Sequence, residues 1–361
     1  MSIAIQGLLP EELAAQLGCK LSEVRRVVSA VYRKDKRDLG CDMVQVSKHT
    51  RRQLAEKCHV GALEILTQQS SKLDPFVKLA LRTADGHIVE TVRIPLEREG
   101  RYSVCVSSQV GCALGCKFCK TTQGGVVRNL AAWEIVEQVR LVRLSLPAGA
   151  RVSSVVFMGM GEPLANLASV IQAIRILSEP SCLAIDQKGM TVCTSGLPNG
   201  IARIKDAKLR VRIGLSIGSA IPEQRRALMP IDKTYPLSQA VDALVDYTQS
   251  AGQSQMLAYT LLSGVNCSAE HAAALRELAL DLGRRGGRMP RLSLIAYNPL
   301  GESDPFRRAS EDEAEAFRLQ LVSAGFPVVR RYSGGADIDA ACGQLSAKLL
   351  DASRLTEARL G

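Results

Sequence analysis

Eleven cysteines occur among 361 residues, and their spacing is uneven. Cys105, Cys112, Cys116 and Cys119 crowd into one segment, the last three in C-x3-C-x2-C spacing. Three thiolates so placed can converge on one metal centre, and thiolates suit zinc or an iron–sulfur cluster. Structural zinc calls for four ligands in a closed tetrahedron. No fourth ligand is evident: the nearest histidines along the chain, His87 and His271, have no ligand-like spacing, and Cys105 lies inside a predicted strand. Three thiolates on a [4Fe–4S] cluster leave one iron open, and an open iron can hold a substrate. The spacing therefore favours a cluster over zinc, with buried unliganded thiols a third reading. Cys19, Cys41, Cys58, Cys182 and Cys267 are scattered, as small core residues are. Cys342 stands alone near the C-terminus, beside Asp337-Ile-Asp339.

The bulk of the chain sets the surroundings. Apolar residues are 46% and charged residues 23%, enough for a real core. No run of eighteen apolar residues is present, and Met1–Pro10 has neither a basic n-region nor a small-residue cleavage site, so no membrane span and no secretory signal are expected. The expected compartment is the cytoplasm, where thiols stay reduced and clustered cysteines point to metal or catalysis. The net charge of +10 suits a polyanionic partner such as nucleic acid. Aromatic residues are only 4%, so no stacking platform for single strands is visible.

The elements that must carry these thiols follow from periodicity. Pro10–Leu17 and Leu21–Tyr32 have helical spacing, and residues 1 to 70 read as short helices. Phe76–Arg82 and His87–Ile94 then flank Asp85-Gly86, a hairpin turn signal. Glu90 shares a face of the second strand with Ile88, Val92 and Ile94. The pattern by itself reads this carboxylate as an edge-strand charge reaching solvent. A boundary falls near Glu97–Gly100, giving an N-terminal helical domain with a β-hairpin over 1–97, a core over 98–345 and a tail over 346–361. In the core, predicted strands Tyr102–Ser107, Ser153–Met158, Met190–Thr194, Val211–Ile217, Gln255–Leu262 and Arg291–Tyr297 alternate with helices such as Ala132–Leu146, Leu237–Ser250 and Ala269–Arg284. Repeated β-α units predict a parallel sheet or barrel, so the fold class is α/β. Each strand runs into a loop of special residues: the cysteine loop, Gly159-Met-Gly-Glu-Pro163, Thr194-Ser-Gly196, Ser216-Ile-Gly218, Ser263-Gly-Val-Asn266 and Asn298-Pro299. Six such loops at successive strand ends point to one shared cavity.

C-x3-C-x2-C after the first strand of a β/α barrel resembles the radical-SAM enzymes, which use S-adenosylmethionine (SAM). The longer string Cys105-Val-Ser-Ser-Gln-Val-Gly-Cys-Ala-Leu-Gly-Cys-Lys-Phe-Cys119 resembles, more narrowly, the RlmN/Cfr family of RNA adenosine methyltransferases. The likeness continues through Arg128-Asn-Leu130, Met158–Pro163, Leu228-Met-Pro-Ile231, Gly264-Val-Asn266, Tyr297-Asn-Pro299 and Asp337-Ile-Asp-Ala-Ala-Cys-Gly-Gln-Leu345. It implies a partial (β/α)6 radical-SAM barrel behind a small helical domain and hairpin. It implies that Cys112, Cys116 and Cys119 bind the cluster, with SAM chelating the open iron. Gly161 and Glu162 match a Gly-Glu-Pro motif that contacts the methionyl amine. Cys193, Ser216, Ile217, Gly218 and Asn298 fall on further SAM-contact positions. This chain departs from the family at two of them: Cys193 replaces a usual Ser, and Gly218 replaces a usual His.

The resemblance also assigns three catalytic residues. Cys342 would carry a methyl group, Cys105 would be its partner thiol, and Glu90 would accept a proton. That role turns the position of Glu90 on an apolar face into a device for tuning its acidity. The implied reaction methylates an electron-poor ring carbon of adenosine, C2 or alternatively C8, which ordinary SAM methyl transfer cannot reach. A methylene radical on Cys342 adds to the ring, a ring proton leaves, and Cys105 attacks the Cys342 sulfur to free the base and leave a disulfide. The implied substrate is 23S rRNA, with tRNA a second candidate. A flavodoxin or ferredoxin would supply electrons, and a monomer is expected. Two other readings stay open: an enzyme of the same build with another substrate, and a zinc-containing RNA-binding module.

Overall fold

The computed structural model describes residues 2–345 apart from 42, 302, 303, 332 and 333, so the predicted tail at 346–361 lies outside the described residues. The N-terminal part holds β1 (Ile3–Ala4), α1 (Pro10–Leu17), α2 (Leu21–Lys34), α3 (Lys48–Lys57) and β2 (Cys58–His59), with β1 and β2 paired in parallel. Helix α2 buries Val24, Val27, Val28 and Val31, a helical-period stripe. Helix α1 opens on Pro10 at its first turn and closes on left-handed Gly18, so both boundaries are local. Ser47 caps α3 by accepting from the Thr50 N–H at 3.2 Å.

Next come β3 (Glu64–Ser70), β4 (Val77–Arg82) and β5 (Ile88–Pro95). The turn joining β4 to β5 forms as predicted, with Thr83 N–H donating to His87 O at 2.8 Å and Gly86 N–H to Thr83 O at 2.9 Å. Strand β3 corrects the helical reading of 1–70. Its sequence Glu-Ile-Leu-Thr-Gln-Gln-Ser lies at the sheet edge, polar on both faces, so it carries no period-2 signal and becomes a strand only by pairing with β4.

The core continues through β6 (Arg101–Cys105), a small antiparallel pair β7 (Gln109–Gly111) and β8 (Val126–Asn129), α4 (Ala132–Leu144), β9 (Arg151–Phe157), α5 (Leu167–Ser178), β10 (Met190–Thr194), α6 (Pro198–Asp206) and β11 (Arg212–Ser216). It closes with α7 (Pro222–Leu228), α8 (Leu237–Ala251), β12 (Met256–Leu261), α9 (Ala269–Gly286), β13 (Arg291–Ala296), α10 (Glu311–Val322) and β14 (Val328–Arg331). Among the described residues one sheet runs β14-β13-β12-β11-β10-β9-β6-β5-β4-β3. Neighbours from β14 to β6 pair in parallel and those from β6 to β3 antiparallel. The fold is α/β as expected, with β14 added beyond the six predicted strands. The boundary drawn at 97/98 falls in the turn between β5 and β6, two paired strands of this sheet.

Along the parallel strands, Val155, Phe157, Met190, Val192, Ile213, Leu215, Leu257 and Tyr259 belong to the main apolar core. The register places Thr191, Cys193, Gly214, Ser216 and Ala258 on the other face, a row of smaller and more polar side chains. Period-2 alternation thus separates packing from function. The N-terminal part docks on α4. Fully buried Arg140 grips Glu137 through two bonds, at 2.6 and 2.7 Å, and reaches Asp35 at 2.6 Å. Gln6 bonds both Gly61 and Glu137. Among the described residues no helix is long and apolar enough to cross a membrane.

Candidate functional site

The cysteine loop leaves β7 and returns through β8, so the paired strands fix both of its ends. Cys112 N–H donates to Gly125 O at 2.8 Å. Thr122 Oγ1 donates to the carbonyls of Cys116 and Cys119, at 3.0 and 2.8 Å. A small apolar cluster of Leu228, Met229, Leu262 and Tyr297 packs on Cys116, with Leu114 and Phe118 at its edge. This dry setting governs the thiols. Burial pushes Cys112 up to about 11 and Cys116 up to about 12, and raises Cys119 as well. The three thiols and Glu162 also disfavour one another's charge, which places them in one electrostatic neighbourhood. A bound metal centre would have to displace these protons and stabilise the thiolates.

The carboxylate behind the thiols is held by backbone. Glu162 Oε1 accepts from Leu164 N–H at 3.0 Å and Oε2 from Ser195 N–H at 2.9 Å. Burial raises its pKa, against those N–H donors, which favour the ionised form. Its own N–H donates to Gln109 Oε1 at 2.8 Å. Gly161 is required here. Its φ is +100°, and a Cβ would stand 2.6 Å from Gln109 Cβ. Glu162 therefore ties the loop after β9 to the loop after β10 and to the start of the cysteine segment.

The remaining positions are distributed as follows. Cys193 is buried on the inner face of β10, where a Cβ on Gly214 would meet its sulfur at 2.8 Å. Ser216 ends β11, and Ile217 N–H bridges to Ala258 O at 2.9 Å. Gly218 has φ +66°, and a Cβ there would come within 2.7 Å of Met229 Sδ. In this chain Met229 occupies the room that a side chain at 218 would need. Asn298 Nδ2 donates to Cys342 O at 3.4 Å.

The C-terminal segment closes over the site. Lys120 N–H donates to Gly343 O at 2.8 Å, and Thr121 Oγ1 to Leu345 O at 2.6 Å, stitching the segment to the cysteine loop. Cys342 lies near enough to Cys119 to help raise that thiol. On its other side Asp337 accepts from Ser71 Oγ at 2.7 Å and Lys72 N–H at 2.8 Å, and Asp74 accepts from Gly335 N–H at 2.8 Å. Glu90 and Cys105 sit on one face, because Cys105 pairs with Val92, two residues from Glu90. Glu90 does not reach solvent as the strand pattern suggested. It is buried and paired with Lys78 at 3.1 Å, and Lys78 Nζ also donates to Asp339 O at 3.4 Å. Lys78 thus joins the Glu90 face to the segment bearing Cys342. None of the eleven cysteines is joined in a disulfide, so the bridge implied by the resemblance is not part of this structure.

Several organising residues were given no role by the sequence. Fully buried Arg225 donates to Ser195 O at 2.7 Å, Ser216 O at 2.9 Å, Ile217 O and Asp232 Oδ1, the last at 2.9 Å. It gathers the loops after β10 and β11. Its neighbour Arg226 is half exposed, and nothing in the string Glu-Gln-Arg-Arg tells the two apart. Asn266, inside a quoted motif, bonds Gly218 O at 2.7 Å and Thr260 O at 2.9 Å. Arg128 bridges Asp85 of the hairpin turn to Glu134 of α4. A cavity of about 290 Å³ opens between that turn and the cysteine loop, lined in part by His87, Ile88, Val110, Lys120, Thr121 and Met160.

Three thiols carried by one loop, two of them packed in the small apolar cluster, are donors of the kind that an iron–sulfur cluster takes.

Comparison with known proteins agrees with this geometry. Residues 106–274 match the model of the radical SAM superfamily. A protein of Sorangium cellulosum (strain So ce56) named "Probable RNA methyltransferase" is 47% identical over 372 aligned residues, covering 96% of this chain and 93% of that protein. "Dual-specificity RNA methyltransferase RlmN" of a Nitratiruptor species is 36% identical, covering 95% of this chain and 98% of its own length. The crystal structure of a radical SAM methyltransferase from Sphaerobacter thermophilus superposes with a TM-score of 0.85 at 33% identity, covering 96% of this chain and all of that one. With thiol loop, strand-end carboxylate and full-length likeness in agreement, this chain belongs to the RlmN family of radical SAM RNA methyltransferases.

Proposed function

We propose that the protein methylates C2 of adenosine in RNA, with 23S rRNA and tRNA as substrates, through a methyl group carried on Cys342. The observation that supports this most directly is the seating of residues 334–345 across the cysteine loop and the hairpin, since it brings a lone C-terminal cysteine to the thiol site. The net charge of +10 suits a polyanionic substrate. The 290 Å³ cavity beside the cysteine loop has the scale of a small-ligand site and offers an entry for a nucleobase.

Cys112, Cys116 and Cys119 hold the four-iron cluster as thiolates, and Gly161, Glu162, Cys193, Ser216, Ile217, Gly218 and Asn298 line the SAM site. When bound, the cluster and SAM supply the methyl group and the one-electron chemistry that a non-nucleophilic ring carbon demands. Glu162 contributes a buried carboxylate for the methionyl ammonium, oriented by the two N–H groups that grip it. Cys342 carries the one-carbon unit on its sulfur to the base. Glu90 takes the proton that leaves the ring carbon, positioned by Lys78. The Cys105 thiolate attacks the Cys342 sulfur; the sulfur–carbon bond breaks with its electron pair passing to the carbon, which takes up a proton to become the methyl group, so the methylated base departs and a disulfide remains for reduction. A flavodoxin or ferredoxin supplies the electrons.

The order of these roles makes a test. Cys105→Ala should stop turnover after bond formation and trap the protein on its RNA, whereas Cys342→Ala should abolish both product and adduct. Each variant is expressed in cells and run on a denaturing gel with and without ribonuclease. A nuclease-sensitive slow band from Cys105→Ala alone is expected. Normal RNA methylation by Cys342→Ala would overturn the carrier role.

A further inference from the structure

The opposite mouth of the barrel, at the strand starts, holds groups that the chemistry above does not use. A cavity of about 300 Å³ opens there, lined by Lys188, Arg210, Arg212, Arg291 and the Ala251–Ser254 turn, with no Asp or Glu in its wall. Lys188 comes from the turn before β10, Arg210 and Arg212 from the entry to β11, and Arg291 is the first residue of β13. Three separate segments thus deliver four cations to one concavity. None of the four makes a salt bridge among the described residues. Asp186, the near acidic residue in sequence, is turned to the backbone, accepting from Lys188 N–H at 2.9 Å.

A second observation comes from inside the mouth. In the wall of this cavity the buried Nε of Arg212 lacks a protein partner. Arg212 is the first residue of β11, at the end of the barrel where the cavity lies. Leaving a buried donor unmet is costly, more so when it is charged. Arg212 is held in tension of another kind as well: burial and then the charge of Arg291 disfavour its protonated form. An anion placed between these guanidinium groups would relieve both penalties. A solvated basic face would account for the exposed Arg210 and Arg291, but not for the buried Nε of Arg212.

We propose that this lower mouth is a phosphate-binding site, with half-buried Arg212, whose Nε is enclosed, as its anchor and Lys188, Arg210 and Arg291 as an open collar. The phosphate has two possible sources, the backbone of the bound RNA or a free oligophosphate, and the chemistry of recognition is the same for both. The site does not depend on the reaction at the upper mouth, so its failure leaves the methyl-transfer reading untouched.

The test uses full-length protein, sodium pyrophosphate and unmodified tRNA. Arg210→Gln/Arg291→Gln removes two exposed collar residues. Arg203→Gln/Arg276→Gln, on the outer faces of α6 and α9, removes the same charge elsewhere. Melting curves are recorded against pyrophosphate at constant ionic strength, and tRNA affinity is measured across salt. Pyrophosphate should raise the Tm of wild type and of the charge-matched control, and its Kd should weaken at least tenfold in the collar variant. If RNA is the source, the collar variant should also lose about 1.5 from the slope of log affinity against log salt, relative to the control. If the source is a free oligophosphate, the two slopes should agree while the pyrophosphate arm still separates the variants. Lys188→Gln/Arg291→Gln repeats the comparison should Arg210→Gln disturb the fold. Equal pyrophosphate response and equal salt slopes in collar and control variants would overturn the proposal.

Discussion

The two mouths of the barrel are built by opposite rules. At the upper mouth, the charged groups buried in the loops are matched. Glu162 accepts two backbone N–H groups, Arg225 spends its donors on Asp232 and three loop carbonyls, and Asn266 staples Gly218 to Thr260. At the lower mouth, the buried Nε of Arg212 lacks a partner and cations face one another across an open cavity. The same parallel sheet supplies both ends. Matched polar groups fix the geometry of loops and leave little freedom, which suits a site that must hold thiols, a carboxylate and a cofactor in register. Unmatched cations fix nothing by themselves and store affinity for a ligand.

The sharpest way to break this contrast is at the thiols. Cys116→Ala should leave the protein without stoichiometric iron or sulfide and without methyl transfer, whereas anaerobically purified wild type should carry about four of each per chain. Iron and sulfide assays with a visible absorption spectrum check this. Stoichiometric zinc and no sulfide in the wild type would end the cluster reading.

Arg225→Met tests the matched rim as structure. Removing one partner of a buried ion pair strands Asp232 and three carbonyls, so a loss of about 3–5 kcal/mol is expected. Urea unfolding measures it. Arg212→Gln at the lower mouth removes an unmatched guanidinium and should cost far less, so equal losses from the two arginines would erase the comparison.

Glu162→Gln is milder. One carboxylate oxygen becomes an amide that cannot accept from Ser195 or Leu164 N–H, and a cost of about 1–3 kcal/mol is expected. SAM affinity should fall with it, because the ammonium of the ligand loses its counter-charge. Calorimetric titration of the cluster-loaded protein reads the second effect; an unchanged SAM affinity would remove Glu162 from the cofactor site.

The smallest effect concerns Asp85. Hydrogen bonds from Arg128, then Thr83, hold its carboxyl well below the usual carboxylate range. A folded-state pKa below the unfolded value, about 3.9, means that the stabilisation is full above that pH and is lost as pH falls below it. The pair is half exposed, so the effect is modest. Arg128→Gln should therefore flatten the acid limb of Tm against pH below about 4. An unchanged limb would show that the link between hairpin and α4 is electrostatically idle.

Much of this molecule is determined by short-range pattern. The valine stripe of α2, the Asp85-Gly86 turn, the six alternating strands and the C-x3-C-x2-C loop each depend on residues a few positions apart, and each appears in the structure near its predicted bounds. Met190–Thr194 and Pro10–Leu17 match to the residue. The tertiary structure alone decided the rest. Strand β3 has no pattern of its own and exists through β4. Arg225 and Arg226 are adjacent and identical, yet one is fully buried and the other half exposed. Glu90 stands on an apolar face, and only its pairing with Lys78, and Lys78 with Asp339, shows that it is enclosed rather than solvated. Residues 334–345 close over loops more than two hundred positions earlier. Periodicity records which face a side chain takes, because that is set by the local backbone. Which partner satisfies a buried charge is set by chain segments that meet only when the sheet curves, and no local pattern encodes that meeting.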